Sequence, residues 1–523
     1  MKVRGAFCRG IAFGVAPLLA MAAWSAAGRA AERVADLRLG RGGTVVNVRT
    51  NDRPREQGVV AATSAYPHPR PRLAGFSPLI AMTATNQQST MDIDYEHDLH
   101  VSYHCDPYHA PTPTVCGPLN PPATQRFIVG ILDSGSVVDL VAGSSAVTLG
   151  LIGPYMTNNP IPIGGVGGTV NAYLTQPIGL FAAGLSAVGQ DGLLNVAALK
   201  GHSNVAALVA PIIDCGAGEA VTGFMGTPFL SFFNTVIRVD RPRRVTINNL
   251  VYKTPEVQIQ RTTDALPDYP RAIAMTFGGL SPATTASYFP VLEPEDLETP
   301  SLPTQLSLSP LSIPTGGVFF AEILVLEGEP GPFNTPVSMR VMVDTGAQAS
   351  IMSPGIAAAL NLPMTPDFVV DACGVGGLVT DIPAYYVDYV KINALGGAME
   401  FSRAPFVMLD LASPEGGALD GVLGMNFFWN RNLTFEPSLT GTAFLGVSDP
   451  VPFAAGDFDL DSFVDADDAA TFQACFGGPA SAVTPDCDHV DIDADGDVDL
   501  NDFAAMQACF NGSIEAAGVD CRP

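Results

Sequence analysis

The chain has 523 residues, 47% hydrophobic and 15% charged, which is too apolar for a disordered protein and too long for one ordinary domain. Fifty-three Gly and 44 Pro favour short strands and turns over helical bundles, and a net charge of -26 argues against a nucleic-acid partner, because nothing would neutralise phosphates. The charge is uneven: residues 451–523 carry 15 Asp and one Glu against a single Arg, which marks them as a separate module.

At the N-terminus, Lys2, Arg4 and Arg9 precede an apolar run from Ile11 to Trp24, followed by the small-residue sites Ser25-Ala26-Ala27 and Gly28-Arg29-Ala30. This is the layout of a secretory signal peptide, expected over residues 1–30, and it places the mature protein outside the cell or at its surface. The run is short for a membrane anchor, and no later segment has 18 uninterrupted apolar residues, so no transmembrane segment is expected after cleavage. Loss of Cys8 with the signal leaves eight cysteines. Local spacing favours the pairs Cys105–Cys116, Cys475–Cys487 and Cys509–Cys521, while Cys215 and Cys373 either bridge distant parts or stay as buried thiols.

Residues 31–84 hold eight Arg against four acids with Pro and Gly throughout, and read as a basic, poorly ordered leader or pro-segment that could shield an acidic cleft. β-type patterning follows, giving a first lobe over 85–260. A Pro-rich linker region is expected over 261–316 and a second β-rich lobe over 317–448. The two lobes repeat each other. Ile131-Leu132-Asp133-Ser134-Gly135-Ser136 aligns with Met342-Val343-Asp344-Thr345-Gly346-Ala347 at an offset of 211, without a gap as far as Leu149-Gly150-Leu151 and Leu360-Asn361-Leu362. Each Leu-x-Leu should end a short helix. Gly165-Val166-Gly167-Gly168 is answered by Gly374-Val375-Gly376-Gly377, and Gly223-Phe224-Met225-Gly226 by Gly421-Val422-Leu423-Gly424.

Two apolar residues before each Asp place it at the end of a buried strand, and the Gly two residues later permits a tight turn. Ser134 and Thr345 can each give a hydroxyl hydrogen bond across a two-fold interface. If the turns meet, two carboxyl groups come within hydrogen-bonding distance, cannot both ionise cheaply, and share one proton. Such a pair activates a water with its ionised member and polarises a carbonyl with its protonated one, needing no metal and no covalent intermediate.

Asp344-Thr345-Gly346-Ala347 followed by Ser350-Ile351-Met352-Ser353-Pro354 resembles the retropepsin-like aspartic peptidases, and Asp133-Ser134-Gly135-Ser136 is similar to their serine variant. The resemblance implies a mainly β, two-lobed acid-protease-like barrel architecture, both lobes in one monomeric chain as in pepsin-like enzymes. It also implies flap hairpins at 164–168 and 373–377, and an endopeptidase acting on protein or peptide through Asp133, Ser134, Gly135, Asp344, Thr345 and Gly346. Asp139 stands where the second copy has Ser350, and needs a partner if buried. The other reading of the same repeats is a non-catalytic extracellular scaffold. A polysaccharide-degrading enzyme finds no support in residues 85–450.

The tail repeats as well. Asp491, Asp493, Asp495, Asp499 and Asp502 hold positions 1, 3, 5, 9 and 12 of a calcium-loop pattern with Gly496 at position 6; Asp457, Asp459, Asp461, Asp465 and Asp468 repeat it 34 residues earlier with Ser462 at position 6. Helices are expected at Ala469–Phe476 and Phe503–Phe510. The pair is similar to the type I dockerin domain over 451–523, a small α-helical EF-hand-like module. The resemblance implies two Ca2+ sites and a cohesin-like extracellular partner chosen by residues such as Ala466-Asp467 and Leu500-Asn501.

Overall fold

In this computed structural model the described residues are 68–85, 127–149, 156–175, 178–205, 207–210, 220–279, 317–328, 334–438, 441–484, 486–493 and 495–512, with the short pieces 35–37, 46–50, 103–104, 117–118, 151, 213–214, 331 and 521. The signal peptide, most of the leader, Cys105, Cys116, Cys215 and most of the Pro-rich region lie outside them. Among the described residues no helix is long and apolar enough to cross a membrane.

Among the described residues the protein is mainly β, as expected from the sequence, with a nine-stranded and a fourteen-stranded sheet. Each lobe contains the same three-strand unit. Ile128–Leu132 runs parallel to Gly223–Met225, which is antiparallel to Leu140–Ala142. In the second lobe Val337–Val343 runs parallel to Gly421–Leu423, which is antiparallel to Ile351–Met352. Ile128–Leu132, Gly223–Met225 and Gly421–Leu423 are buried on both faces, which explains their unbroken apolar runs. Helices Gly143–Leu149 and Pro354–Ala359 follow at matching places. The amide of Leu151 bonds Ala146 O at 2.8 Å, and that of Leu362 bonds Ala357 O at 3.0 Å, so the offset of 211 survives down to single hydrogen bonds. Ser353 caps the second helix by accepting from the Ile356 amide, with Pro354 in the first turn. One hydrophobic core, containing Leu132, Met225, Phe319, Val343 and Leu423, runs continuously through both lobes.

Several boundaries differ from the sequence reading. Leu79–Thr85, assigned to the leader, is a central strand between Ile128–Leu132 and Ile178–Gly184. Its run of buried residues shows no alternation because both faces are covered. The leader strands Ala35–Leu37 and Val46–Thr50 pair with each other and then with Phe368–Gly374. Arg271–Gly279, assigned to the linker, lies between Gly317–Leu326 and Thr442–Val447, with Ile273 and Met275 inward and Ala274 and Thr276 outward. The long hairpin Phe233–Ile247 and Leu250–Arg261, assigned to lobe 1, instead joins the second sheet through Leu433–Glu436. Residues 68–78 form an ordered strap. Its arginines face the tail rather than a cleft, Arg70 pairing with Asp488 at 3.1 Å and Arg72 bonding the Phe458 carbonyl at 3.0 Å.

The tail has its own core of Phe458, Val464, Phe472, Val490, Val498 and Met506. Its helices, Ala466–Cys475 and Leu500–Cys509, begin three residues earlier than expected, because Asp465 and Asp499 act as N-caps in capping boxes closed by Asp468 and Asp502. Gly478 N bonds Val498 O at 3.0 Å and Gly512 N bonds Val464 O at 3.1 Å, so each half of the tail closes onto the other. Cys475–Cys487 and Cys509–Cys521 are bonded as spacing indicated. Cys373 is also in a disulfide, whose partner lies outside the described residues.

Candidate active site and acidic tail loops

The two Asp-Ser/Thr-Gly turns meet at the lobe junction. The Asp133 amide bonds Met225 O at 2.9 Å and the Asp344 amide bonds Leu423 O at 3.1 Å, so each turn is seated on the neighbouring strand of its three-strand unit. Between the turns runs a reciprocal clasp. Ser134 N donates to Thr345 Oγ1 and Thr345 N donates to Ser134 Oγ, both at 3.0 Å. Each hydroxyl then donates onward at 2.7 Å, Ser134 to Val343 O and Thr345 to Leu132 O. Ser134 and Thr345 are wholly buried, so all four bonds are shielded from water.

The clasp sets the carboxyl groups. Asp133 Oδ1 accepts from the Gly135 amide at 2.9 Å, and Asp344 Oδ1 accepts from Gly346 at 2.8 Å and Ala347 at 3.1 Å. The two side chains are hydrogen-bonded to each other. Glycine is required beside them. A Cβ on Gly135 would stand 2.3 Å from Asp344 Cγ, and one on Gly346 would stand 2.6 Å from Asp133 Cγ. Both carboxyl groups are half-buried, open to the cleft yet largely cut off from bulk water. Burial raises both above the ordinary carboxylate range, and Asp133 rises furthest because the Asp344 charge and hydrogen bond act on it as well. The two carboxyl groups therefore titrate as one unit and hold one proton between them.

Asp139 finds its partner in the Gly226 amide, at 2.7 Å. Above the pair, the hairpins Met156–Gly165/Gly168–Thr175 and Phe368–Gly374/Gly377–Ile392 reach toward each other. Their tips touch: Gly376 N bonds Val166 O at 2.8 Å, and a Cβ on Gly376 would fall 2.1 Å from Gly167 C. The tips and the Asp pair enclose a cavity of about 460 Å³ with mostly aliphatic walls, among them Val137, Ile163, Val375, Leu411 and Leu419.

The tail carboxylates gather in two groups. Asp457, Asp459 and Asp468 each bring an oxygen within 4.8 Å of the others, and so do Asp491, Asp493 and Asp495. Asp461, Asp465, Asp499 and Asp502 lie in the same loops but outside these tight groups. Burial together with Asp468, Asp459 and Asp461 pushes Asp457 up to about 8; burial and Asp459 push Asp468 up to about 7. Ser462 and Gly496 both have the positive φ that position 6 requires, 71° and 98°. An all-oxygen donor set under mutual repulsion fits a hard divalent cation. Sequence reasoning did not find the residues that face the first loop, Arg244 and Lys253. The available signal was the cluster Arg238, Arg241, Arg243 and Arg244 in an otherwise acidic chain.

Residues 330–427 match the family model for aspartyl proteases. A solved structure of an aspartic proteinase from Irpex lacteus is similar at 9% identity, with 72% of this chain and 98% of that chain covered and a TM-score of 0.30. No curated protein sequence matches the chain.

Proposed function

We propose that the protein is an exported aspartic endopeptidase whose tail is a calcium-binding, dockerin-like module for attachment to an extracellular protein partner. The carrying observation is the hydrogen-bonded pair of Asp133 and Asp344, held by a reciprocal hydroxyl clasp at the floor of a covered cleft. The ionised member of the pair takes a proton from a water held between the carboxyl groups. The protonated member donates to the substrate carbonyl, whose carbon the water attacks. As the tetrahedral centre collapses, a proton passes to the leaving amine and the pair returns to one shared proton. The aliphatic cleft walls favour apolar side chains on either side of the scissile bond.

Export is supported by the signal-peptide layout and by the disulfides. In the tail, Asp457, Asp459, Asp461, Asp465 and Asp468 would hold one calcium and Asp491, Asp493, Asp495, Asp499 and Asp502 the other, ordering both loops. Leu500 and Phe510 of the second half are 59% and 48% exposed, apolar surface available to a protein partner.

The test is cleavage of a mixed peptide library by the full chain across pH, read by mass spectrometry. Activity should fall on the alkaline side as the shared proton leaves and on the acid side as the second carboxyl protonates. Asp133→Asn and Asp344→Asn should each abolish cleavage while leaving the fold intact. Cleavage surviving either change, or a folded wild type inert at every pH, sinks the peptidase reading in favour of a scaffold.

A further inference from the structure

The far end of the long hairpin carries its basic residues into the first tail loop. Lys253 Nζ lies 3.0 Å from Asp461 Oδ2 and 2.9 Å from Asp467 Oδ2, and also contacts Asp459 Oδ2. Arg244 Nη1 lies 3.3 Å from Asp461 Oδ2 and 3.2 Å from Asp465 Oδ2. Positions 3, 5, 9 and 11 of this loop thus face two cations from another part of the chain. The contact is buried at its centre, the Asp461 side chain being 2% exposed and that of Lys253 15%, and open at its edge, where Asp467 is 61% exposed.

The second loop is the internal control. There positions 1, 3 and 5 converge, and among the described residues no basic side chain pairs with them. In the first loop the convergent set is positions 1, 3 and 12, and Asp461 at position 5 is missing from it. Its Oδ2 is turned outward to Lys253 and Arg244.

We propose that the first loop is an intramolecular latch, in which Lys253 and Arg244 dock the tail on the long hairpin by occupying carboxylates that a calcium ion would need. Calcium uptake at that loop and the docked contact then exclude each other. The proposal rests on the reading of the tail as a calcium module. An ammonium group satisfies three oxygens at about 3 Å, whereas calcium gathers six to eight at roughly 2.3–2.6 Å, all pointing inward. Asp461, with its Oδ2 held by both cations, cannot turn that oxygen into the loop while the contact lasts. Between tail and lobes lies a cavity of about 700 Å³ lined by Asp467, Ala470, Thr471 and Ala474 on one side. Release of the latch exposes this face of the first tail helix to an outside partner, coupling calcium level to partner capture.

Two measurements on the full chain test this, in a background where Asp491→Ala silences the second loop. Zero-length carbodiimide crosslinking should join Lys253 to Asp459 or Asp467 in chelator, and saturating calcium should abolish that crosslink. Calorimetric titration should show the Lys253→Met/Arg244→Met variant binding calcium about tenfold more tightly than its parent, because docking no longer competes. A crosslink that persists in saturating calcium, or equal affinities in parent and variant, overturns the latch and leaves the calcium reading standing. A variant that takes up no calcium overturns both. The crosslink is read on the native hairpin and does not depend on how the variant folds.

Discussion

Asp139 and Ser350 occupy the same place in the two halves of the chain and perform one task with different chemistry. Asp139 Oδ1 accepts from the Gly226 amide at 2.7 Å, and Ser350 Oγ accepts from the Gly424 amide at 2.9 Å. Ser350 passes its own proton to Asn426 Oδ1 at 2.7 Å, whereas burial, against the pull of the Gly226 amide, pushes Asp139 up to about 7.

That difference makes lobe 1 sensitive to pH. A carboxyl whose pKa is raised on folding contributes its full stability below the unfolded value, about 4, and loses it as pH rises toward the folded value. The wild type should therefore lose stability between about pH 4 and pH 7, by on the order of 2 to 4 kcal/mol from this group. Asp139→Ser, which copies the second lobe, should flatten that part of the profile. Denaturant midpoints at about pH 4.5 and about pH 7.5 decide it; an equal change in both proteins would show that Asp139 does not titrate there.

Thr345→Val keeps the shape of the clasp and removes one hydroxyl. The buried Ser134 amide loses its acceptor and Leu132 O its donor. The expected loss is roughly 2–4 kcal/mol of stability, with turnover reduced as the carboxyl pair loosens. Chemical denaturation measures the first, and a change below the scatter of the method would mean water replaces the hydroxyl.

Gly376→Ala should separate the flap tips, since its methyl would meet Gly167 backbone that cannot move aside cheaply. Hydrogen exchange should quicken at residues 165–168 and 374–377 and stay unchanged in the three-strand units below. Gly331→Ala is the control, with nothing within 4 Å of its added methyl. Unaltered exchange at both tips would show that the contact is not what holds them.

In the tail, Ser462→Gly relieves a side chain held at φ 71°. It should stabilise the first loop by about 1 kcal/mol and tighten its calcium binding several-fold. A full-chain titration carrying Asp491→Ala isolates that loop, and unchanged affinity would place the control of binding elsewhere, foremost in Lys253.

Much of this arrangement is legible in the sequence because it is local or repeated. The Asp-Ser/Thr-Gly turns, the paired glycine tips and the helices ending at Leu149 and Leu360 follow from short-range chemistry and from the offset of the two copies. What escaped is non-local pairing. Leu79–Thr85 lacks alternation because neighbours cover both faces, and Arg271–Gly279 was hidden by surrounding prolines. The capping boxes moved both tail helices forward because Asp465 and Asp499 were counted only as ligands, although the same oxygens cap a helix. The meeting of Lys253 with Asp461 spans 208 positions, and no spacing rule reaches so far.

The reciprocal clasp also fixes when the carboxyl pair can come into being. Ser134 leaves the ribosome 211 residues ahead of the threonine that completes it, and the strand seating that threonine's turn ends only at Leu423. Until then the first turn has neither its hydroxyl partner nor a second carboxyl, and Asp133 in the growing chain is an ordinary ionised side chain. A nascent or truncated chain is chemically silent at this position. The paired site can form only once the chain has grown past Leu423, so its timing is set by chain length.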